Sequence, residues 1–313
     1  MTERPTVIVS SWSDGLVALG GAAARQFRGS RAWSLNSDGA GGAYAIVGSR
    51  EVWRWTPAGA WRRAAVADAD IACCLKFGDR LLAGAEDLRL LEFANGRCIQ
   101  LEDFAATPGR ESWYAGSALV DGRIVGPPLG VRTLSATCDG AALLSNVHVG
   151  GIPRSTDGGA TWLPTIDIDT DVHQVLGHPA QPEIVAAASA AGLCLSRDGG
   201  ESWSVTAEGL HAPYSLAVAL TEDWVYLSCS TDHFSSDGAI YRRRIESDGA
   251  LEPCGGGLPE RLQGIVDTGC IHARGDDLAI VDRGGSLYGS RDAGRSWSLW
   301  ERGLPSPSGV LIC

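Results

Sequence analysis

Three segments of the chain are near copies of one another: Ser155-Thr156-Asp157-Gly158-Gly159-Ala160-Thr161-Trp162, Ser196-Arg197-Asp198-Gly199-Gly200-Glu201-Ser202-Trp203 and Ser290-Arg291-Asp292-Ala293-Gly294-Arg295-Ser296-Trp297. Their tryptophans stand 41 and 94 positions apart, and a degenerate copy, Ser247-Asp248-Gly249-Ala250-Leu251, falls near the middle of the longer interval. A period of about 40 to 50 residues is the mark of a stacked-repeat architecture, in which each unit buries its apolar face only against its neighbours.

Within one period the pattern reads as four short strands. Val172–Leu176, Glu183–Ala188, Gly192–Ser196 and Trp203–Val205 are separated by Gly-rich turns, which describes a propeller blade. The motif occupies the turn between third and fourth strands. There the Asp accepts backbone N–H bonds, the glycines supply positive φ and the Trp packs between blades. Repetition from blade to blade marks these residues as a folding device. The chain is thus expected to be all-β, one seven-bladed propeller domain with four-stranded antiparallel blades. The blades fall near 5–30 plus 309–313, 31–67, 68–104, 105–169, 170–212, 213–261 and 262–304. The apolar tail Gly309–Cys313 supplies the innermost strand that the first unit lacks, joining the two ends of the chain and removing open edges.

Composition narrows the function classes. Of 313 residues 41 are Gly, which suits many tight turns. The formal net charge of -11 argues against nucleic acid or an anionic membrane as partner. Lys76 is the only lysine, which leaves Schiff-base and P-loop chemistry almost without a residue. The nine cysteines show no Cys-x-x-Cys spacing and read as free thiols. With no apolar signal in Met1–Ser11 and no run of about 18 apolar residues, the expected location is cytoplasmic.

The Ser/Thr-x-Asp-x-Gly-x-x-Trp motif resembles the Asp-box, or BNR repeat, of sialidases, sortilin-type receptors, xyloglucanases and photosystem-assembly propellers. Gly126-Pro127-Pro128, His148–Ile152, Asp171-Val172-His173-Gln174 and Gly209-Leu210-His211 look like small bacterial sialidase-like or glycosyl-hydrolase-like proteins of that family. The resemblance implies the propeller fold and a sialidase-like or glycosidase-like hydrolase. Gly151-Ile152-Pro153-Arg154 departs from the Phe/Tyr-Arg-Ile-Pro order of true sialidases.

Propeller sites gather where the connections into the first strands, and the turns between second and third strands, open at one mouth of the central channel. Sorting the histidines by this rule puts His148, His173, His211 and His233 on the mouth side and His178 and His272 on the far side, beside turns between first and second strands. Arg132 takes the place in its blade that His173 takes in the next, and Tyr214 heads the sixth inner strand. Imidazoles converging with an acid could hold a divalent metal ion or act as base and orienter. The metal set would be His148, His173, His233, His211 and Asp171. The run Asp167-Ile168-Asp169-Thr170-Asp171 does not match a calcium loop, because its sixth and twelfth positions would be Val172 and His178.

The fourth unit carries an excess from Ala105 to Gly130 that emerges at the same mouth and includes Arg110, Glu111, Trp113 and Tyr114. Asp282-Arg283, Arg50-Glu51 and Glu86 are further rim residues. The catalytic set expected from this placement is His148, His173, Arg132, Glu111, Tyr114 and Tyr214, with a tyrosine as nucleophile if the sialidase analogy holds. Imidazole plus Arg suits an anionic or sugar-like small molecule. Two readings stand: a hydrolase acting at the channel mouth, metal-assisted or of glycosidase type, and a non-catalytic propeller that binds a ligand or protein partner.

Overall fold

Gly-rich turns and short apolar runs fold here into seven four-stranded antiparallel sheets, six with their first strand innermost and one with the C-terminal strand there. The structure is a computed structural model and describes residues 5–20, 24–57, 60–114, 118–120, 123–125 and 130–313. Gly126–Pro128 therefore lie outside the described residues. From inside outwards, blade 1 is Pro307–Ile312, Val7–Ser11, Gly15–Leu19 and Ala24–Gln26. Blade 2 is Ala32–Ser37, Ala43–Val47, Glu51–Trp55 and Arg62–Val66. Blade 3 is Ile71–Phe77, Arg80–Ala85, Leu90–Ala94 and Arg97–Gln100. Blade 4 is Val131–Ala136, Leu143–Val147, Pro153–Ser155 and Leu163–Pro164. Blade 5 is Val172–Gly177, Val185–Ser189, Gly192–Ser196 and Ser204–Thr206. Blade 6 is Tyr214–Leu220, Trp224–Ser230, Ala239–Arg244 and Glu252–Pro253. Blade 7 is Ile271–Arg274, Asp277–Val281, Leu287–Ser290 and Ser298–Glu301.

The ring closes as the tail predicts: Pro307–Ile312 pairs antiparallel with Val7–Ser11, Val310 opposite Val9. His272 lies inside the inner strand of blade 7, which runs on to Arg274 before Gly275 turns it. Its Nδ1 faces the Ile312 N–H at 3.3 Å, on the closing strand.

The apolar core lies between blades. Trp33, Tyr44, Ile46 and Val52 of blade 2 pack on Ile71, Cys74, Ala83 and Leu91 of blade 3, and similar layers fill the other junctions. The outermost strands stay exposed, as Arg62–Val66 and Leu163–Pro164 show. The nine cysteines are all free, six of them buried. Among the described residues no helix is long and apolar enough to cross a membrane.

The repeated Asp turns work as hydrogen-bond hubs. Asp198 accepts the backbone N–H groups of Glu201 and Ser202 and the hydroxyls of Ser196 and Ser202. Burial works against its charge, but those donors prevail and hold the carboxyl at about 2. Asp157 and Asp292 repeat the arrangement. The Trp162 and Trp297 indoles donate back to the Gly159 and Gly294 carbonyls of their own turns.

The inner strands of blades 2 to 6 each shift register near the mouth end. A bulge frees backbone groups from the ladder and re-aims side chains. Side chains of the preceding blade meet several of the inner-strand groups. Asn36 donates to the Cys74 carbonyl, the Thr133 hydroxyl accepts from the Val175 N–H, and Gln174 brackets Val218 through both its amide atoms. The blades are thereby stitched around the channel as well as packed.

Candidate functional site

Two of the bulges set up the site. Val131 and Thr133 bracket the register shift in blade 4, and Val172 and Gln174 the one in blade 5, so Arg132 and His173 are the unpaired residues. Asp171 precedes His173 as the C-cap of a short 3-10 turn, Ile168–Thr170, with φ of 50°. A left-handed non-Gly residue is costly and tends to persist where surrounding structure over-determines it, often at functional sites. His148 follows Leu143–Val147 directly, and its N–H donates to the Gly130 carbonyl at 3.1 Å.

These pieces meet. His148, Asp171 and His173 each present a donor atom, and the three atoms lie within 4.8 Å of one another. The two imidazoles are 6.0 Å apart between centroids, and the Tyr214 ring stands 5.0 Å from His173. His173 is fully buried. Its Nδ1 lies 2.6 Å from the Ser215 carbonyl oxygen. A carbonyl only accepts, so Nδ1 carries a proton and donates it to this bond, leaving Nε2 to face the channel mouth. That Nε2 faces Asp171 Oδ2 at 3.5 Å, and neither His173 Nε2 nor Asp171 Oδ1 has a hydrogen-bond partner although both are buried.

Arg132 closes the group on the other side. Its guanidinium lies 3.4 Å from His148 Nδ1, donates to the Thr268 hydroxyl at 3.0 Å and stands 3.6 Å from Asp267 Oδ1. Thr268 in turn donates to the Leu216 carbonyl, so blades 4, 6 and 7 are linked across the mouth. Burial would raise the Asp171 carboxyl, but His173 close beside it, followed by His148 and Arg132, holds it below its ordinary range. Burial raises the Tyr214 phenol, with Arg132 opposing and Asp171, Asp267 and Asp232 adding to the rise. Tyr114 is raised by burial and then by Asp171.

The donor set suits a first-row divalent cation. Two imidazole nitrogens and a carboxylate form a common ligand trio, and an Nδ1–H fastened to a backbone carbonyl is the usual outer-shell support of a ligating histidine. Bonds of about 2.1 Å would place ligands about 3 to 3.5 Å apart, which small rotations inward from the present spacing would reach.

The remaining expected residues fall in three places. Tyr114 bridges to Val149, its N–H donating to the Val149 carbonyl at 3.3 Å, which brings it beside His148. His233 lies within the field of Arg132, His173 and Asp267 but outside the donor trio. His211 is drawn into a separate network, with Nδ1 facing the Tyr241 hydroxyl at 3.2 Å and Cys229 Sγ at 3.5 Å, and Nε2 facing Asp237 at 3.4 Å. Glu111 is exposed on the 3-10 turn Arg110–Ser112 and joins neither group. Asp267 and Thr268 were missed by sequence reasoning, although an acid shortly before an inner strand is the signal that singled out Asp171.

No family model matches the chain, and no curated protein matches it in sequence. Solved structures do match in shape. A candidate 6-phosphogluconolactonase from Bacteroides fragilis aligns with TM-score 0.64 at 13% identity over 99% of this chain and 98% of that one. One from Bacteroides uniformis aligns with TM-score 0.65 at 13% identity over the whole of both. An ancestral GH74 enzyme aligns with TM-score 0.58 at 14% identity over 98% of this chain and 40% of its own. Likeness at such identities shows the propeller fold and nothing finer.

Proposed function

We propose that the protein is a hydrolase that acts on an anionic, sugar-like small molecule at the channel mouth, with a divalent cation held by His148, Asp171 and His173. The observation that carries this reading is the convergence of one donor atom each from His148, Asp171 and His173 within 4.8 Å, with the buried atoms His173 Nε2 and Asp171 Oδ1 lacking a hydrogen-bond partner. Polar atoms buried without a partner are costly alone, and a bound cation would satisfy them. A bound cation would polarise an ester or phosphoester and lower the pKa of a water molecule. Arg132 would orient the anionic substrate, and the phenols of Tyr114 and Tyr214, protonated at neutral pH, could donate to a developing oxyanion. Structural neighbours named for a phosphorylated sugar lactone and for a glycoside hydrolase family fit the same substrate class.

The test combines elemental analysis of untagged protein with a hydrolysis panel containing a phosphorylated sugar lactone, aryl esters, phosphoesters and glycosides. The expected result is about one cation per chain and turnover of a panel member. His173→Gln and Asp171→Asn should abolish both while the protein still melts cooperatively. A chain that takes up no cation and turns over no panel member would leave the binding-scaffold reading in its place.

A further inference from the structure

Blade 7 places Arg283 just beyond the end of Asp277–Val281, in a turn at the mouth. Its guanidinium crosses to blade 6, where one nitrogen donates to the His233 carbonyl at 2.8 Å and another lies 3.5 Å from His233 Nε2. The stem of the side chain rests on Gly264. A Cβ there would come within 3.3 Å of Arg283 Cβ and Cδ, at a φ of +82° that favours glycine. The guanidinium is therefore held in place, yet by neutral acceptors; among the described residues no carboxylate pairs with it.

Burial lowers the proton affinity of His233, Asp267 opposes this, and Arg283, Arg132 and His173 add to it. The carboxylates around this point are engaged elsewhere: Asp267 is drawn to Arg132 at 3.6 Å, Asp171 faces His173 at 3.5 Å, Asp232 accepts the Phe234 and Ser235 N–H groups, and Asp282 accepts that of Ser286. The Arg283 guanidinium is thus left without a counter-charge, which an anionic ligand would supply.

We propose that Arg283 and His233, backed by Arg132, form a subsite for a terminal oxyanion, a phosphate or carboxylate, remote from the bond that is cleaved. The inference rests on the hydrolase reading for the identity of the ligand as substrate. It narrows the substrate class to small molecules with a charged end and a separate ester, lactone or glycosidic bond. A planar guanidinium with free N–H groups suits such an oxygen pair, which a lysine would grip less specifically.

Inorganic phosphate is the probe, titrated calorimetrically into full-length protein freed of metal with chelator. Wild type should bind it, Arg283→Ala should bind about tenfold more weakly, His233→Gln should also lose affinity, and Arg283→Lys should fall between. Thermal melts of each variant separate loss of the site from loss of the fold. Absence of phosphate binding by folded wild type, or equal binding by Arg283→Ala, overturns the subsite. His173→Gln, by contrast, should leave phosphate binding intact while removing cation uptake. If it removes neither, the hydrolase reading fails while the anion site stands or falls on Arg283 alone.

Discussion

His173 Nε2 and Asp171 Oδ2 face each other across 3.5 Å while the opposite ring nitrogen of His173 is fastened to the Ser215 carbonyl. The ring cannot turn away from Asp171 without abandoning that hydrogen bond, and Ser215 belongs to the next blade. The propeller ring thus holds the proposed ligands in place, and the hydrogen bond that stitches His173 to the next blade is also what orients it in the proposed site.

Addition of Zn²⁺ or Mn²⁺ should therefore raise the melting temperature. A cation at about a hundred times its dissociation constant adds about 2.7 kcal/mol of stability. The shift should fade on acidification, since the ligands bind only when deprotonated. His173→Gln and Asp171→Asn should lose it, and Glu111→Gln should keep it, because Glu111 lies apart from the group. Differential scanning calorimetry with and without the ions checks all four statements; a shift that survives in both ligand variants would place the cation elsewhere.

Asp198→Ala removes the acceptor of four hydrogen bonds in one turn. The turn is solvent-exposed, so water replaces part of what is lost, and the expected cost is about 1 to 3 kcal/mol. Urea denaturation should show the loss, and any activity that is found should survive at temperatures where the variant is folded. Asp198 also has a depressed carboxyl, at about 2 in the folded state. Its contribution is present above the unfolded value near 4 and is lost as pH falls from there towards 2.

The repeat was legible because one turn chemistry recurs at fixed spacing. Asp157, Asp198 and Asp292 declared the blades, and the orphaned apolar tail declared the closure. The site was legible only by analogy of position. Aligning Val131-Arg132 with Val172-His173 put both residues at the same point of adjacent inner strands, but the bulges that re-aim them leave no mark on a one-dimensional pattern. His211 shows the limit. It shares the mouth side with His148 and His173, yet Tyr241 and Asp237, both from the blade that follows it, hold it. Asp267 was hidden for the opposite reason, since its role depends on reaching Arg132 across the ring.

Gly150 offers a way to move His148 without touching it. A Cβ at Gly150 would meet Val147 at 2.6 Å and Trp113 at 2.9 Å. Trp113 is itself buried against Phe104, which packs on Trp162, so the ring has little room to yield. Gly150→Ala should therefore shift the His148 turn and weaken cation binding by about tenfold, with overpacking costing about 1 to 3 kcal/mol. Co²⁺ titration followed by visible absorption reads the ligand field directly. An unaltered spectrum and affinity would show that His148 is not among the ligands. Trp113→Ala together with Gly150→Ala should recover part of the loss, which a purely destabilising pair would not do.

Acid should loosen the ring at its seam. His272 is pushed down to about 4 by burial, with Arg274 adding to the effect, and its Nδ1 accepts from the Ile312 N–H of the closing strand. Protonating that nitrogen turns the acceptor into a second donor facing the first. The sign follows from proton binding: between the unfolded value near 6.5 and about 4 the unfolded chain holds the proton and the native chain does not, so stability falls as pH falls through that window and levels off below it. Allowing for the partial exposure of the ring, the loss is on the order of 2 kcal/mol. His272→Gln keeps a side chain of comparable size without the titration, so its urea midpoint should vary less between pH 7 and pH 4 than that of wild type. Hydrogen exchange at Val310, Leu311 and Ile312 should accelerate in wild type over the same interval. Equal pH dependence of the two proteins, with unchanged exchange at those amides, would show that the seam is not where acid acts.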